Sequence, residues 1–243
     1  MELQEYKIMY EVEDDYWWYR GLHELVLDTL KRYYGGQNDI AIFDAGCGTG
    51  RMLELLSDYG NKEGVDYSSE AIDFCLKRGL ANVHVEDLSK WEPEENAYDC
   101  VMSLDVICNI NHDMEAIGKF YRALKPGGVL IMNLPAFMLL RRQHDIAVWS
   151  KRRYRTGNTK LTLQNIGFQT EIVAYRLPWL FPIMLAQKFR EYLFHPEKTE
   201  SDLKGLPPFL NKILLAAHLF DNKLILNGIS WPCGGSVFVV AKK

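Results

Sequence analysis

Apolar residues along this chain recur in two alternating rhythms. Short runs rich in β-branched residues read as buried strands: residues 40–43 (Ile-Ala-Ile-Phe), 63–68, 82–88, 98–107, 129–134, 168–175 and 236–240. Between them, apolar positions return every three or four residues, the spacing of a helix with one buried face. Leu22, Leu25, Val26 and Leu30 mark a helix over 22–34 that Gly35-Gly36 would end. Met52, Leu53, Leu55 and Leu56 mark a second, residues 113–124 a third, and Leu161, Leu163 and Ile166 a fourth. Strand and helix in alternation predict an α/β domain with a mostly parallel sheet.

The first strand runs into Asp44-Ala45-Gly46-Cys47-Gly48-Thr49-Gly50-Arg51. Three glycines at alternate positions let the backbone turn sharply and let a ligand approach the amides at a helix start. A dinucleotide fingerprint would read G-x-G-x-x-G, and its last place is taken here by Arg51, too large for close helix–strand packing. The Asp44 to Gly50 pattern resembles the first motif of class I S-adenosylmethionine (SAM)-dependent methyltransferases.

Three further positions agree in order and spacing. Asp66, 20 residues after Gly46, ends the second strand where an acid meets ribose hydroxyls. Asp87-Leu88 follows the third strand, and Leu124-Lys125-Pro126-Gly127-Gly128 precedes the fifth. The resemblance covers residues 40–134. It extends to a group of bacterial and archaeal methyltransferases with an N-terminal Trp-Trp-aromatic-Arg-Gly element, here Trp17 to Gly21. That group also carries Pro135-Ala136-Phe137, His144-Asp145, Arg152-Arg153-Tyr154 and, more loosely, Pro232 to Ser236.

The resemblance implies a doubly wound, mostly parallel seven-stranded Rossmann-like sheet. The cofactor is then SAM, leaving as S-adenosylhomocysteine (SAH), and no metal is expected. Asp44, Ala45, Gly46, Cys47, Gly48 and Gly50 would hold the methionine part. Asp66 and Tyr67 would lie at the ribose and Asp87 with Leu88 at the adenine. Leu104 and Asp105, at the carboxyl end of the fourth strand, would close the same edge. Trp18 and Arg20 would cover the cofactor if residues 16–20 form an aromatic lid, the alternative being an N-terminal helix docked on the core.

Strands six and seven form a hairpin in that fold, yet here about sixty residues intervene, with six of the nine prolines. The expected organisation is one domain, 1–243. It comprises a cap (1–36), a cofactor core (37–176), a helical insertion (177–233) and the last strand (234–243). The insertion is apolar enough to be a lid over the acceptor, a dimer interface or a membrane-surface patch.

Charge and cysteine usage narrow the partners. A net charge of −4 argues against a general nucleic-acid binder. Five cysteines without a C-x-x-C pair suit a reducing cytoplasm. No run approaches the ~18 apolar residues of a spanning helix, and Met-Glu-Leu-Gln-Glu does not read as a signal peptide. The expected partner is a small or medium acceptor, a natural product or sugar-type molecule methylated on oxygen or nitrogen. The protein would be a monomer or homodimer, with peripheral membrane contact through 177–233 as the variant for a lipid-linked acceptor.

If the acceptor must lose a proton, His144 and His112 are the candidate bases. The basic run from Lys151 to Arg155 is either a solvated helix face or a clamp in which Arg152, Arg153 and Tyr154 hold an anionic part of the acceptor. Two other functions stay open: a protein that binds SAM without catalysis, and an NAD-dependent oxidoreductase.

Overall fold

A computed structural model describes residues 3–35, 37–194 and 206–243. Gly36 and residues 195–205 of the insertion lie outside the described residues, as does the start of the cap. Two helices, α1 (Leu3–Val12) and α2 (Trp17–Tyr34), precede the sheet. The sheet and its crossovers run β1 (Ile42–Ala45), α3 (Arg51–Leu55), β2 (Lys62–Asp66), α4 (Ser69–Lys77), β3 (Val83–Val85) and β4 (Tyr98–Leu104). There follow α5 (Asp113–Ala123), β5 (Leu124–Pro135), α6 (Gln143–Ala147), α7 (Thr156–Ile166) and β6 (Gln169–Arg176). The insertion supplies α8 (Leu180–Phe194) and α9 (Pro208–Leu226), and β7 (Ser236–Lys242) closes the chain.

The strands form one seven-stranded sheet in the order β3-β2-β1-β4-β5-β7-β6, with β7 alone antiparallel to its neighbours. Strand order reverses between β1 and β4, which places a ligand crevice at their carboxyl ends. Both faces are covered, so alternate strand residues enter two different cores. Phe43, Val101, Leu130 and Val239 point to α5 and α7, where they meet Phe120 and Leu163. Ile42, Met102, Ile131 and Phe238 point to α2 and α9, where they meet Leu25, Leu30 and Ile225.

Three elements differ from the sequence reading. The aromatics Trp17 to Tyr19 are the first turn of α2 rather than a segment ahead of it. The helix after the glycine loop is only five residues long. Lys151 to Arg155 lie outside any helix: α7 begins at Thr156, and Tyr154 bridges Ala136 in extended form. The helix-face reading of that basic run is therefore corrected, because its residues lie along the end of the sheet instead. Among the described residues no helix is long and apolar enough to cross a membrane.

Candidate cofactor and acceptor site

The glycine loop is folded tightly on itself. The amides of Gly46 and Cys47 both donate to Val65 O, at 2.8 Å each, and Gly50 N donates to Cys47 O. Gly48 N donates to Asp66 Oδ2 at 3.0 Å. These amides are thus committed within the protein. All three glycines have positive φ, at 97°, 54° and 83°. A Cβ on Gly46 would sit 2.3 Å from Val106 Cγ2, just beyond β4, and one on Gly48 would meet Met9 Cε of α1 at 2.8 Å. Cys47 is buried, its Sγ 3.9 Å from Cys75 Sγ, and that contact together with burial pushes its thiol pKa up.

Carboxylates line the crevice. Asp44 is buried within β1, and burial together with the charge of Asp66 pushes its pKa up to about 7. Asp66 is held from three sides: Gly48 N on Oδ2, and Ser68 N (3.0 Å) and the hydroxyl of Tyr6 (2.9 Å) on Oδ1. Tyr67 beside it is exposed, at the rim. Asp87 Oδ1 accepts from Ser89 N and Oγ, and these bonds hold its carboxyl below the usual range. Leu88 is buried in the core under it, and Ala45 O accepts from Ser103 Oγ, tying β1 to β4. Leu104 is half-buried, in register with Asn133, and Asp105 follows it with φ 59°.

Nearby guanidiniums are already paired. Arg51 contacts Asp14 (2.7 Å) and Glu54 (2.6 Å), and Arg78 contacts Glu13 (2.7 Å) and Glu54 (2.6 Å). Acidic side chains beside arginines that are already paired disfavour a diphosphate and suit a ligand carrying an ammonium and a sulfonium. SAM is such a ligand, and its methyl is activated by the positive sulfur. On this chemistry SAM would fit, with Asp66 at its ribose and the glycine loop with Asp44 at its methionine part.

The other predicted site residues are placed as follows. Trp17 packs 5.4 Å from Trp179 and edge-on to His218 at 5.6 Å, and Trp18 meets Trp17 edge-on at 5.7 Å and lies tilted to His218 at 6.2 Å. Gly21 is where α9 crosses α2: a Cβ there would meet His218 Nδ1 at 2.0 Å. The Trp17–Gly21 element thus forms a helix–helix seam, and Arg20 is exposed at its edge. Arg153 is buried in a two-pronged pair with Asp145 (2.8 and 2.9 Å) and also donates to Ala136 O. Arg152 and Tyr154 both bond Asp113. His144 lies half-buried on α6, its Nδ1 without a partner, and His112 is exposed ahead of α5.

Sequence reasoning missed Tyr6, Met9, Asn133, Arg176 and His218. Asn133 and Arg176 had a signal: a polar residue inside or closing an apolar strand, each fully buried here. Tyr6, Met9 and His218 reach the site only through tertiary contacts.

Residues 43–132 match the methyltransferase domain family. Over that stretch the chain carries a methyltransferase domain. It is 23% identical over 163 residues to a probable S-adenosylmethionine-dependent methyltransferase from Mycolicibacterium smegmatis, covering 65% of this chain and 62% of that one. A ubiquinone biosynthesis O-methyltransferase from Rickettsia bellii is 30% identical over 113 residues, 44% of this chain and 47% of its own length. The chain therefore spans less than two thirds of either relative. A solved SAM-dependent methyltransferase from Thermotoga maritima shares the fold with a TM-score of 0.60 and 19% identity, over 99% of this chain and 95% of that one. In both curated relatives the aligned stretch is shorter than the chain, whereas the fold likeness runs nearly end to end.

Proposed function

We propose that this methyltransferase domain makes the whole chain an enzyme that moves the SAM methyl group to an oxygen or nitrogen of a small or medium acceptor, a natural product or sugar-type metabolite, in the cytoplasm. The supporting observation is the acidic glycine crevice at the β1/β4 reversal, bounded by Asp44, Asp66 and Asp105. Methyl transfer asks the protein chiefly to align two reactants and to exclude water. In this reading the chain works as one unit. The core (37–176) and last strand (234–243) hold the cofactor, while the cap (1–36) and insertion (177–233) close the acceptor side. Incubation with methyl-labelled SAM and a panel of hydroxyl- and amine-bearing metabolites tests the reading. Label should enter at least one acceptor class with equal formation of SAH; SAH binding without transfer across the panel would favour a non-catalytic SAM binder.

A second reading, an amphipathic acceptor met at a membrane surface, is supported by the insertion. α8 exposes Ile183, Phe189, Tyr192 and Phe194, and α9 exposes Phe209 and Ile213. Sedimentation of the protein with lipid vesicles would favour it.

A further inference from the structure

The residue that follows β4 has a left-handed backbone. Asp105 has φ 59°, a left-handed conformation that costs an L-residue about 1–2 kcal/mol. The surroundings hold it there. Its amide donates to Asn133 O at 2.8 Å, and its carbonyl accepts from Cys108 Sγ. Its Oδ2 accepts from Asn133 Nδ2 at 2.8 Å. Asn133 in turn accepts from Arg176 Nη1 at 2.7 Å, and Arg176 Nη2 donates to His218 Nε2. The remaining ring nitrogen of His218 faces Trp17 O at 3.3 Å, so the ring is neutral with its proton on Nδ1. Burial and the Arg176 charge both depress its pKa. Asn133, Arg176 and His218 are fully buried, so this chain fixes the Asp105 carboxylate from behind.

Its front is open. Oδ1 of Asp105 has no hydrogen-bond partner among the described residues. The β1–β4 register pairs Asp44 with Met102, so Asp105 stands one step beyond the level of Gly46. Val106, its neighbour, is the residue a Gly46 Cβ would strike. A rigid carboxylate with one free oxygen thus borders the glycine crevice where strand order reverses. His112 is exposed ahead of α5, and His144 is half-buried on α6.

We propose that Asp105 is the base for the acceptor, and that the acceptor is therefore a proton-bearing group, a hydroxyl or an ammonium. This rests on the crevice being the SAM site. The acceptor proton passes to Oδ1 and later to water. The acceptor lone pair forms the new bond to the methyl carbon, and the pair of the breaking carbon–sulfur bond stays on sulfur. Burial raises the Asp105 pKa to about 6, while Asn133, Arg176 and Arg153 pull it the other way. Tyr19 and Cys108 also face its charge. The group is ionised at neutral pH yet more basic than an ordinary aspartate, as a base requires.

The test needs no knowledge of the acceptor. Sinefungin resembles SAH but carries an amino group where SAM carries its methyl. Calorimetric titration of both ligands into the wild type and Asp105→Asn reads whether Asp105 faces that position. The wild type should bind sinefungin about tenfold or more tighter than SAH, as a charge-assisted hydrogen bond gives. In Asp105→Asn that preference should disappear, with a cooperative thermal melt reporting a folded protein. Equal affinities in the wild type, or a preference that survives the substitution, would overturn the proposal. Failure of both ligands to bind the wild type would overturn the SAM reading itself.

Discussion

Two places in this molecule depend on a glycine for close approach, and they differ in the backbone they need and in how far along the chain they reach. At the crevice, Gly46 and Gly48, both at positive φ, lack side chains where those of Val106 and Met9 pack in. At the seam of α2 and α9, Gly21 lacks one so that His218 can fill the space. The crevice is formed mainly by residues close in sequence, since Gly48 N and its Asp66 acceptor are 18 positions apart. The seam joins the two ends of the chain: Asn222 Nδ2 donates to Gly21 O across 201 positions. The first shapes a loop at the carboxyl edge of the sheet, and the second fastens two helices together.

Matched substitutions should separate the two. Gly46→Ala should abolish detectable SAH binding, because its Cβ would lie 2.3 Å from Val106 Cγ2 on a backbone with φ 97°. Gly21→Ala should lower thermal stability by about 1–3 kcal/mol through overpacking against His218. It should leave SAH affinity within about twofold, as distant sites do. If Gly21→Ala instead removed SAH binding with no loss of stability, the Trp17–Gly21 element would belong to the cofactor site after all.

The next effect belongs to the acids of the crevice. Asp44 is pushed up to about 7 in the folded protein, against roughly 3.9 in an unfolded chain. Between those values the folded state holds a proton that the unfolded state has released, so this group makes stability fall as pH rises through that window. Thermal melts should show Asp44→Asn losing that slope, its stability gaining on the wild type towards neutral pH. Parallel curves would mean that Asp44 is ionised throughout.

Tyr6 offers the smallest and most specific change. A carboxylate offers about four acceptor positions, and on Asp66 three are taken by Gly48 N, Ser68 N and Tyr6. A ribose presenting two hydroxyls must displace Tyr6. Tyr6→Phe should therefore tighten SAH about threefold to tenfold, one hydrogen bond's worth at ~0.5–1.5 kcal/mol. Weaker binding would mean that Tyr6 supports Asp66 in the bound state instead.

What the sequence made legible divides along the same line. The strands of the sheet and the positions of Asp44, Asp66 and Asp105 at their ends follow from apolar runs that lead into an acid, a pattern contained within neighbouring residues. The seam had no such pattern. His218, Asp221 and Asn222 are buried polar residues on a helix whose apolar positions nearly encircle it, and Asp221 is satisfied by Leu177 N and Trp231. Arg153 reads as a free cation in sequence, yet a buried Asp145 eight residues earlier already holds it. Pairings across long separations decide which polar residues remain open to a ligand, and periodicity carries no information about them.

The cofactor assignment is tested most directly by calorimetric titration of SAH and, separately, NADH into the wild type and Asp66→Ala. SAH binding to the wild type that is lost in the variant, with no heat from NADH, is the predicted result. NADH binding, or SAH binding that is indifferent to Asp66, would contradict the assignment of this crevice to SAM.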